Sequence, residues 1–569
     1  MITLTPIESN IQRLPAEVVN LIAAGEVIDS LAAVVRELVE NALDAGATRI
    51  VISVWPELWR VRVADNGSGM EFIDLQQAAI AHTTSKIRNS EDLWKITSLG
   101  FRGEALHSLA QLANLEIFSR RSNSKEGWKI TYNSIGEILH TETVAIAPGT
   151  IVNVSNLFKN WTIRRQGLPT PSQQLRLVQN TIYQIALCYP HVTWQVQQND
   201  KEWFNISPGI TAQHILPQIL REVHLNDLEY LKLAVATPLG NAEETYTKSS
   251  EIKLVLGLPD RCHRRRADWV KVAVNGRIVK TTELEQTIIA AFTRTLPRDR
   301  YPICFLHLQI SPNQIDWNRH PAKAEIYLHN INYWQEKITD AIGQILRLNI
   351  EESPLTEKVN RLLKVSEDKG AYNVSRSLQN PDKKSDKIRQ FSLKAIAQVR
   401  KTYILAEHPN GMLLIEQHIA HERVLYEQIL DNWQLLPLET PIILPQLTPP
   451  QIQQLQRIGI DIEPFGEQLW AARQAPALLR ERSDCNEALL ELSLGGDLEA
   501  ARVATACRSA IRNGTDLNLQ EMQNLLDQWQ QTRNPRTCPH GRPIYLSLEE
   551  SNLARFFRRH WVIGKSHGI

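Results

Sequence analysis

Near the start of the chain, three side chains have types and spacing that could do chemistry. In VRELVENALDAG, residues 35 to 46, Glu37, Asn41 and Asp44 stand at i, i+4 and i+7 and share one stripe if the segment is a helix. Val34, Leu38 and Leu43 can pack beside that stripe, holding a carboxylate, an amide and a second carboxylate against a core. Burying such groups without partners costs roughly 2 to 7 kcal/mol for neutral ones and more for charges, so they need partners or a ligand. The other reading is a surface helix whose acidic residues face water. Downstream, ADNGSGM sets Asp65 where a strand gives way to a loop, and its Gly67 and Gly69 permit backbone geometries closed to other residues. Alone this motif marks a turn; behind a helix carrying a buried-looking carboxylate it is more specific. SLGFRGEAL, residues 98 to 106, puts Gly100 and Gly103 before an apolar-periodic run from Ala105 to Leu112. Backbone N–H groups of a glycine loop entering a helix make a site for phosphate.

A second constellation lies far along the chain. In EQHIAHERVLYE, His418 and Glu422 are spaced i, i+4, which sets two metal ligands on one helical face, with His421 and Glu427 flanking them. Cys507 follows in ATACRSAIR, and Cys538 and His540 in TCPHGRPIY. Histidine, glutamate and cysteine together favour Zn²⁺, with Mn²⁺ an option at a carboxylate-rich position. The competing reading is a helix with solvated His and Glu plus two core cysteines.

The elements that must position these residues are legible in part. Residues 16 to 28 read as a short amphipathic helix, Ser30 as an N-cap, and 50 to 54 and 59 to 63 as strands. Residues 210 to 348 read as a second α/β unit, with strands at 251 to 258, 271 to 275 and 303 to 310 and helices at 282 to 296 and 333 to 346. From 351 to 390 the chain is polar, charged and poor in apolar runs, the composition of a flexible linker with an r.m.s. span of roughly 30 to 40 Å. Beyond it, strands near 403 to 407 and 412 to 416 open another compact domain.

At 569 residues, with domains of about 100 to 200 residues, the chain should hold three or four. A hydrophobic content of 43% and a charged content of 22% are ordinary for a soluble globular protein. The net charge of +1 does not mark a nucleic-acid binder, although Arg261, Arg264, Arg265 and Arg266 could form a local basic patch. Six widely spread cysteines suit a reducing cytosol, and the sequence has neither a secretory pattern nor an apolar run of about 18 residues. The expectation is a cytoplasmic protein with no membrane partner.

Taken together, ELVENALDAGA, DNGSGM, HTTSKI, GFRGEAL and PGTIVNVSNLF resemble the ATP-binding motifs of the GHKL ATPases. IAAGEVI, GFRGEAL and NRHPAKAEI narrow the resemblance to the MutL family of DNA mismatch repair proteins. Gyrase, the heat-shock chaperone and histidine kinases share only the sparser Glu/Asn and Asp-x-Gly-x-Gly skeleton. The resemblance implies an α/β multidomain (α+β) protein. A GHKL ATPase sandwich would span 1–209, a second α/β domain of ribosomal-protein-like fold 210–350, a linker 351–390, and a dimerisation and endonuclease domain 391–569. It makes Glu37 the group that orients or deprotonates the attacking water, Asn41 the Mg²⁺ ligand, and Asp65 the acceptor for the adenine amino group of ATP, with Thr84 nearby. Gly67, Gly69, Gly100, Phe101, Arg102 and Gly103 would surround the nucleotide, and Lys323 would reach its γ-phosphate from the second domain.

In the C-terminal part the resemblance is to the endonuclease-type members, through Gln417, His418, Glu422, Glu427, Cys507, Cys538, His540 and Arg559. Glu416 and Ile419 stand where that family carries aspartate and alanine. The longer Glu416 could still bind metal yet misplace a water by about 1 Å, an error that can cost ~100-fold in rate. Two other departures are Ser30 and Leu31 for the family's Arg-Pro, and WTIRRQGLP, with Arg164 and Arg165, for TPARRKFL. The implied partners are a MutS-type mismatch recognition protein, DNA held through its backbone, and a second copy in a homodimer. A sliding clamp would meet a degenerate peptide, TPIILP, with Thr440 in place of its leading Gln. The rival function is an ATP-driven matchmaker scaffold without nuclease activity.

Overall fold

The computed structural model describes residues 14–87, 98–100, 103–236, 250–316, 326–347, 393–409, 411–550 and 553. The chain divides into two compact units. One comprises Met1–Gly257, Ala267–Ala290 and Ile303–Ala341; the other comprises Leu258–Arg266, Ala291–Pro302 and Ile342–Ile569.

The first unit opens with helices α1 (Ala16–Val27) and α2 (Leu31–Asp44), and then the hairpin β1 (Arg49–Trp55) and β2 (Arg60–Asp65). After α3 (Phe72–Gln77) and α4 (Ala105–Leu112) come β3 (Asn114–Arg120), β4 (Gly127–Tyr132), β5 (Ile138–Val144) and β6 (Gly149–Ser155). Helices α5 (Thr162–Gly167) and α6 (Pro171–Cys188) lead to β7 (Thr193–Gln198) and β8 (Lys201–Ile206). These eight strands form one sheet in the order β5-β4-β3-β6-β2-β1-β7-β8, with β1 and β7 parallel. α2 packs on α6, β1 and β2, and its apolar side explains why: Leu31, Val34, Val35, Leu38, Val39 and Ala42 are all buried. Leu43, expected to pack with them, is only half-buried. The Ser30 hydroxyl accepts from Ala33 N at 3.2 Å, so the expected cap is present and the helix starts four residues before Val35.

The same unit continues through α7 (Ala212–Ile219), β9 (Leu228–Val235), β10 (Ser250–Gly257), β11 (Val270–Val274), β12 (Arg277–Val279), α8 (Thr282–Ala291), β13 (Cys304–Gln309), the short pair β14 (Ile315–Asp316) and β15 (Tyr327–Leu328), and α9 (Ile331–Leu346). A second sheet runs β12-β11-β13-β10-β9, with β11 and β13 parallel. Helix α8 ends at Ala291 rather than at the expected Leu296. Arg294 is left-handed at φ 59°, and Pro297 disfavours helical geometry at Leu296.

In the second unit, β16 (Lys394–Val399), β17 (Tyr403–His408) and β18 (Gly411–Glu416) precede α10 (Gln417–Asp431). Then come β19 (Leu435–Pro445), α11 (Pro449–Arg457), β20 (Ile462–Pro464), β21 (Leu469–Pro476), α12 (Cys485–Leu494), α13 (Leu498–Ser509), α14 (Leu519–Gln530) and β22 (Tyr545–Glu549). One sheet is β16-β17-β18-β22 and the other β19-β21-β20. Each has its own apolar core: Ile404, Ile415, Ala420, Val424, Leu526 and Trp529 beneath the first, Leu455, Ile460, Ala472, Leu479 and Leu489 beneath the second. TPIILP lies in β19, where Thr440 is exposed and Leu444 buried. Among the described residues no single helix is long and apolar enough to cross a membrane.

Candidate functional site

The C-terminal end of α2 is where the N-terminal motifs meet. Glu37 is largely buried, with Arg36 Nε 3.4 Å from its carboxylate. One turn on, Asn41 Oδ1 accepts from Lys86 Nζ at 3.1 Å, and the same ammonium lies 2.5 Å from Asp44 Oδ2. Asp44 also receives Leu99 N on Oδ1 at 2.8 Å and Gly100 N on Oδ2 at 2.9 Å. The stripe therefore grips HTTSKI through Lys86 and the glycine loop through two backbone amides, and the surface-helix reading of it does not hold. Lys86 is not among the residues that the sequence analysis names for the site; its place in HTTSKI, two residues after Thr84, is the available signal.

The loop after β2 packs on the same helix end. Asp65 Oδ1 accepts from Gly67 N at 2.8 Å, and Ser68 N donates to Ala45 O at 2.9 Å. Burial pushes the Asp65 carboxyl up, opposed by hydrogen bonds from the backbone of Gly67 and Thr150. At Gly69, φ is +68° and a Cβ would fall 2.1 Å from Arg120 O, so only glycine fits. Gly103, at φ +66°, likewise presses on the backbone of Thr83, which brings the two ends of the 82–103 segment together. Thr84 Oγ1 accepts from Lys86 N at 3.2 Å. Phe101, Arg102, Lys323 and Arg559 lie outside the described residues, as does the proposed linker.

Arg164 and Arg165 are tied into structure. Arg164 donates to Gly25 O at 3.0 Å and lies over the Trp161 ring, while Arg165 donates twice to Leu157 O. WTIRRQ thus clasps α1: a Cβ on Gly25 would meet Trp161 at 2.7 Å.

In the second unit, five of the six expected metal-site residues converge. His418, Glu422 and Cys507 bring ligand atoms within 4.8 Å of one another, and so do Glu422, Cys538 and His540, with Glu422 common to both groups. Packing of α10 on α13 and the 537–543 turn ahead of β22 make this possible. Glu422 is fully buried; His540 Nδ1 stands 2.8 Å from Oε1 and Arg542 Nη2 3.5 Å from Oε2, yet neither oxygen receives an aligned hydrogen bond among the described residues. His540 and Arg542 set positive charge beside this buried carboxylate, which offsets part of the cost of burying it. His418 Nδ1 donates to Ile511 O at 2.9 Å, which leaves its Nε2 lone pair facing Cys507 Sγ at 3.9 Å. Hydrogen bonds to Cys538 and then to Glu422 push His540 up to about 9, and burial raises the Cys507 thiol. Burial also works to raise Cys538, but hydrogen bonds from His540 and from the Arg542 backbone together hold the thiol below its ordinary value. Two cysteines, two histidines and a buried carboxylate converging in this way are a donor set that fits a borderline metal.

Glu416 belongs to neither group. It caps α10, accepting from Ile419 N at 2.5 Å on Oε2 and from Asn513 Nδ2 at 2.6 Å on Oε1. Gln417 and Glu427 are likewise structural: Gln417 donates to Lys401 O at 2.9 Å and Glu427 accepts from Arg533 N at 2.7 Å. His421 Nδ1 accepts from Ile511 N at 2.9 Å. All six cysteines are free thiols.

Comparison with known proteins joins these two sites in one family. Residues 29–159 match the histidine kinase-, DNA gyrase B- and HSP90-like ATPase family, residues 233–347 the C-terminal domain of the DNA mismatch repair protein family, and residues 396–517 the MutL C-terminal dimerisation domain. The DNA mismatch repair protein MutL of Nostoc punctiforme is 66% identical over 570 residues, covering 99% of this chain and 100% of that protein. MutL of Nostoc sp. is 64% identical over 566 residues, covering 99% and 100%. MutL of Caldanaerobacter subterraneus subsp. tengcongensis is 29% identical over 604 residues, covering 97% and 100%. The chain therefore belongs to the MutL family of DNA mismatch repair proteins, with a GHKL-type ATPase domain and a MutL dimerisation domain.

Proposed function

We propose that this MutL chain works as a cytoplasmic homodimer that binds and hydrolyses ATP, couples mismatch recognition by a MutS-type protein to strand incision, and nicks DNA in its C-terminal domain. The working parts are 1–209 for ATP, 210–350 for transduction, 351–390 as linker and 391–569 for dimerisation and nicking. Glu37 orients and deprotonates the attacking water, Asn41 holds Mg²⁺ through its amide oxygen, and Asp65 with Thr84 reads adenine. Gly67, Gly69, Gly100, Phe101, Arg102 and Gly103 approach the phosphates, and Lys323 senses the third one.

The observation that carries the ATP reading is the gathering of Asn41, Asp44, Lys86 and the Leu99–Gly100 amides at one helix end. With Asn41 bonded to an ammonium, its oxygen is already oriented toward a cation.

For the nuclease, His418, Glu422, Cys507, Cys538 and His540 would hold Zn²⁺ or Mn²⁺, which when bound supplies a Lewis acid and an activated water. The two groups of converging ligand atoms that share the buried Glu422 support this. One observation favours the matchmaker reading instead: Glu416, the expected sixth member, has one oxygen engaged in capping α10 and the other in a hydrogen bond from Asn513.

Two assays test the proposal. Glu37→Ala should bind ATP with near-normal affinity and hydrolyse it at least about 100-fold more slowly; normal turnover would remove Glu37 as the base. Purified protein with Mn²⁺ should relax supercoiled DNA to open circles, and Glu422→Ala should not. Intact circles with the unaltered chain would leave the matchmaker.

A further inference from the structure

The β11–β12 hairpin carries AVNGRIV, a motif that the nucleotide roles leave unused. Its two-residue turn is Asn275-Gly276, with φ of 47° and 85°, the left-handed pair such hairpins need. The turn is braced on three sides. Asn275 exchanges two side-chain hydrogen bonds of 2.9 Å with the backbone of Ile310, and Gly276 N donates to His307 Nε2 at 2.9 Å. A Cβ at Gly276 would fall 2.2 Å from the Tyr189 hydroxyl.

What this brace presents is Arg277. Its Nε donates to Glu40 Oε1 at 3.2 Å, its Nη2 to Glu40 Oε2, and the same Nη2 to Leu99 O at 2.8 Å. Both side chains are nearly buried, at 11% and 6% exposure. Leu99 is thus gripped from both sides: its carbonyl by Arg277, and its N–H, with that of Gly100, by Asp44. A buried ion pair adds little stability over an apolar pair of the same shape, but it fixes geometry strongly when each member is fully partnered.

We infer that Arg277 is a positioning residue for nucleotide binding, holding the Leu99–Gly100 backbone against α2 so that these two residues need not be fixed when the nucleotide binds. Ordering a loop at the moment of binding subtracts from affinity, and a loop already held avoids that cost. The second α/β domain then contributes to the ATP site through Arg277, separately from Lys323. This inference rests on the nucleotide reading proposed above.

The test is the Kd of the full chain for a non-hydrolysable ATP analogue, together with hydrogen exchange at the Leu99 and Gly100 amides. Arg277→Gln should weaken the analogue roughly tenfold, as expected for losing one charge-assisted hydrogen bond, and should speed exchange at both amides. Arg277→Lys keeps the charge without the fork that spans Glu40 and Leu99, should weaken binding as well, and carries the test if the Gln variant does not fold. A merely structural ion pair would lower the melting temperature and leave the Kd within twofold in both variants, which overturns the inference. If the unaltered chain does not bind the analogue at all, the nucleotide reading itself falls.

Discussion

Asp65 shows how the backbone fixes a side chain proposed to read the base. Its Oδ1 accepts from Gly67 N–H and the carboxyl is also bonded by the Thr150 backbone, so the adenine amino group proposed for it must share a carboxylate whose position is already fixed. In Asp65→Asn the amide oxygen must stay with Gly67, so the NH₂ would face another donor. ATP affinity should fall by about 10- to 100-fold with the fold intact, measurable by equilibrium binding against a circular dichroism control. An unchanged affinity would exclude Asp65 from base recognition. Glu416 is a further case, since one of its oxygens caps α10 through Ile419 N and the other accepts from Asn513.

At the level of elements, the β11–β12 turn depends on the protonation of a residue on β13. His307 is buried, and burial, with Lys253 nearby, lowers its pKa to about 4 from an ordinary 6.5. Below pH 6.5 the unfolded chain takes up a proton that the folded one refuses. Stability is therefore complete above pH 6.5 and lost as the pH falls toward 4, by at most roughly 3 kcal/mol. Protonation would also remove the acceptor that Nε2 offers to Gly276 N. His307→Gln retains an acceptor and does not titrate, so thermal unfolding of this variant should vary less between pH 7 and pH 4.5 than that of the unaltered chain. Equal losses in the two proteins would assign the acid sensitivity to other groups.

For the whole molecule, a net charge of +1 means that the DNA binding proposed above would have to come from local patches. If those patches hold the backbone through 6 to 10 phosphates, affinity should fall by about 10³ to 10⁵ between 50 and 200 mM salt. The measurement is Kd for a non-specific duplex across that range, and a flat response would remove backbone contacts as the source of affinity.

Much of the local structure was legible in the sequence. The apolar periodicity of α2, its Ser30 cap, the strand before Asp65 and the i, i+4 pair on α10 follow from spacing and turn chemistry acting within a few residues. The glycines were readable as close-approach positions, and Gly69 shows the reason in its contact with Arg120 O. Tertiary structure alone decided which polar groups answer one another. Glu40 and Arg277 are 237 residues apart in sequence, and nothing periodic announces their pairing. The same holds for Lys86 on Asn41, for Glu416 as a cap, and for Glu422 set fully buried between two cysteines and two histidines. A sequence pattern reports which face of an element is apolar; which charge meets which is set only when the faces pack, because a buried polar group must find its partner wherever the fold brings one.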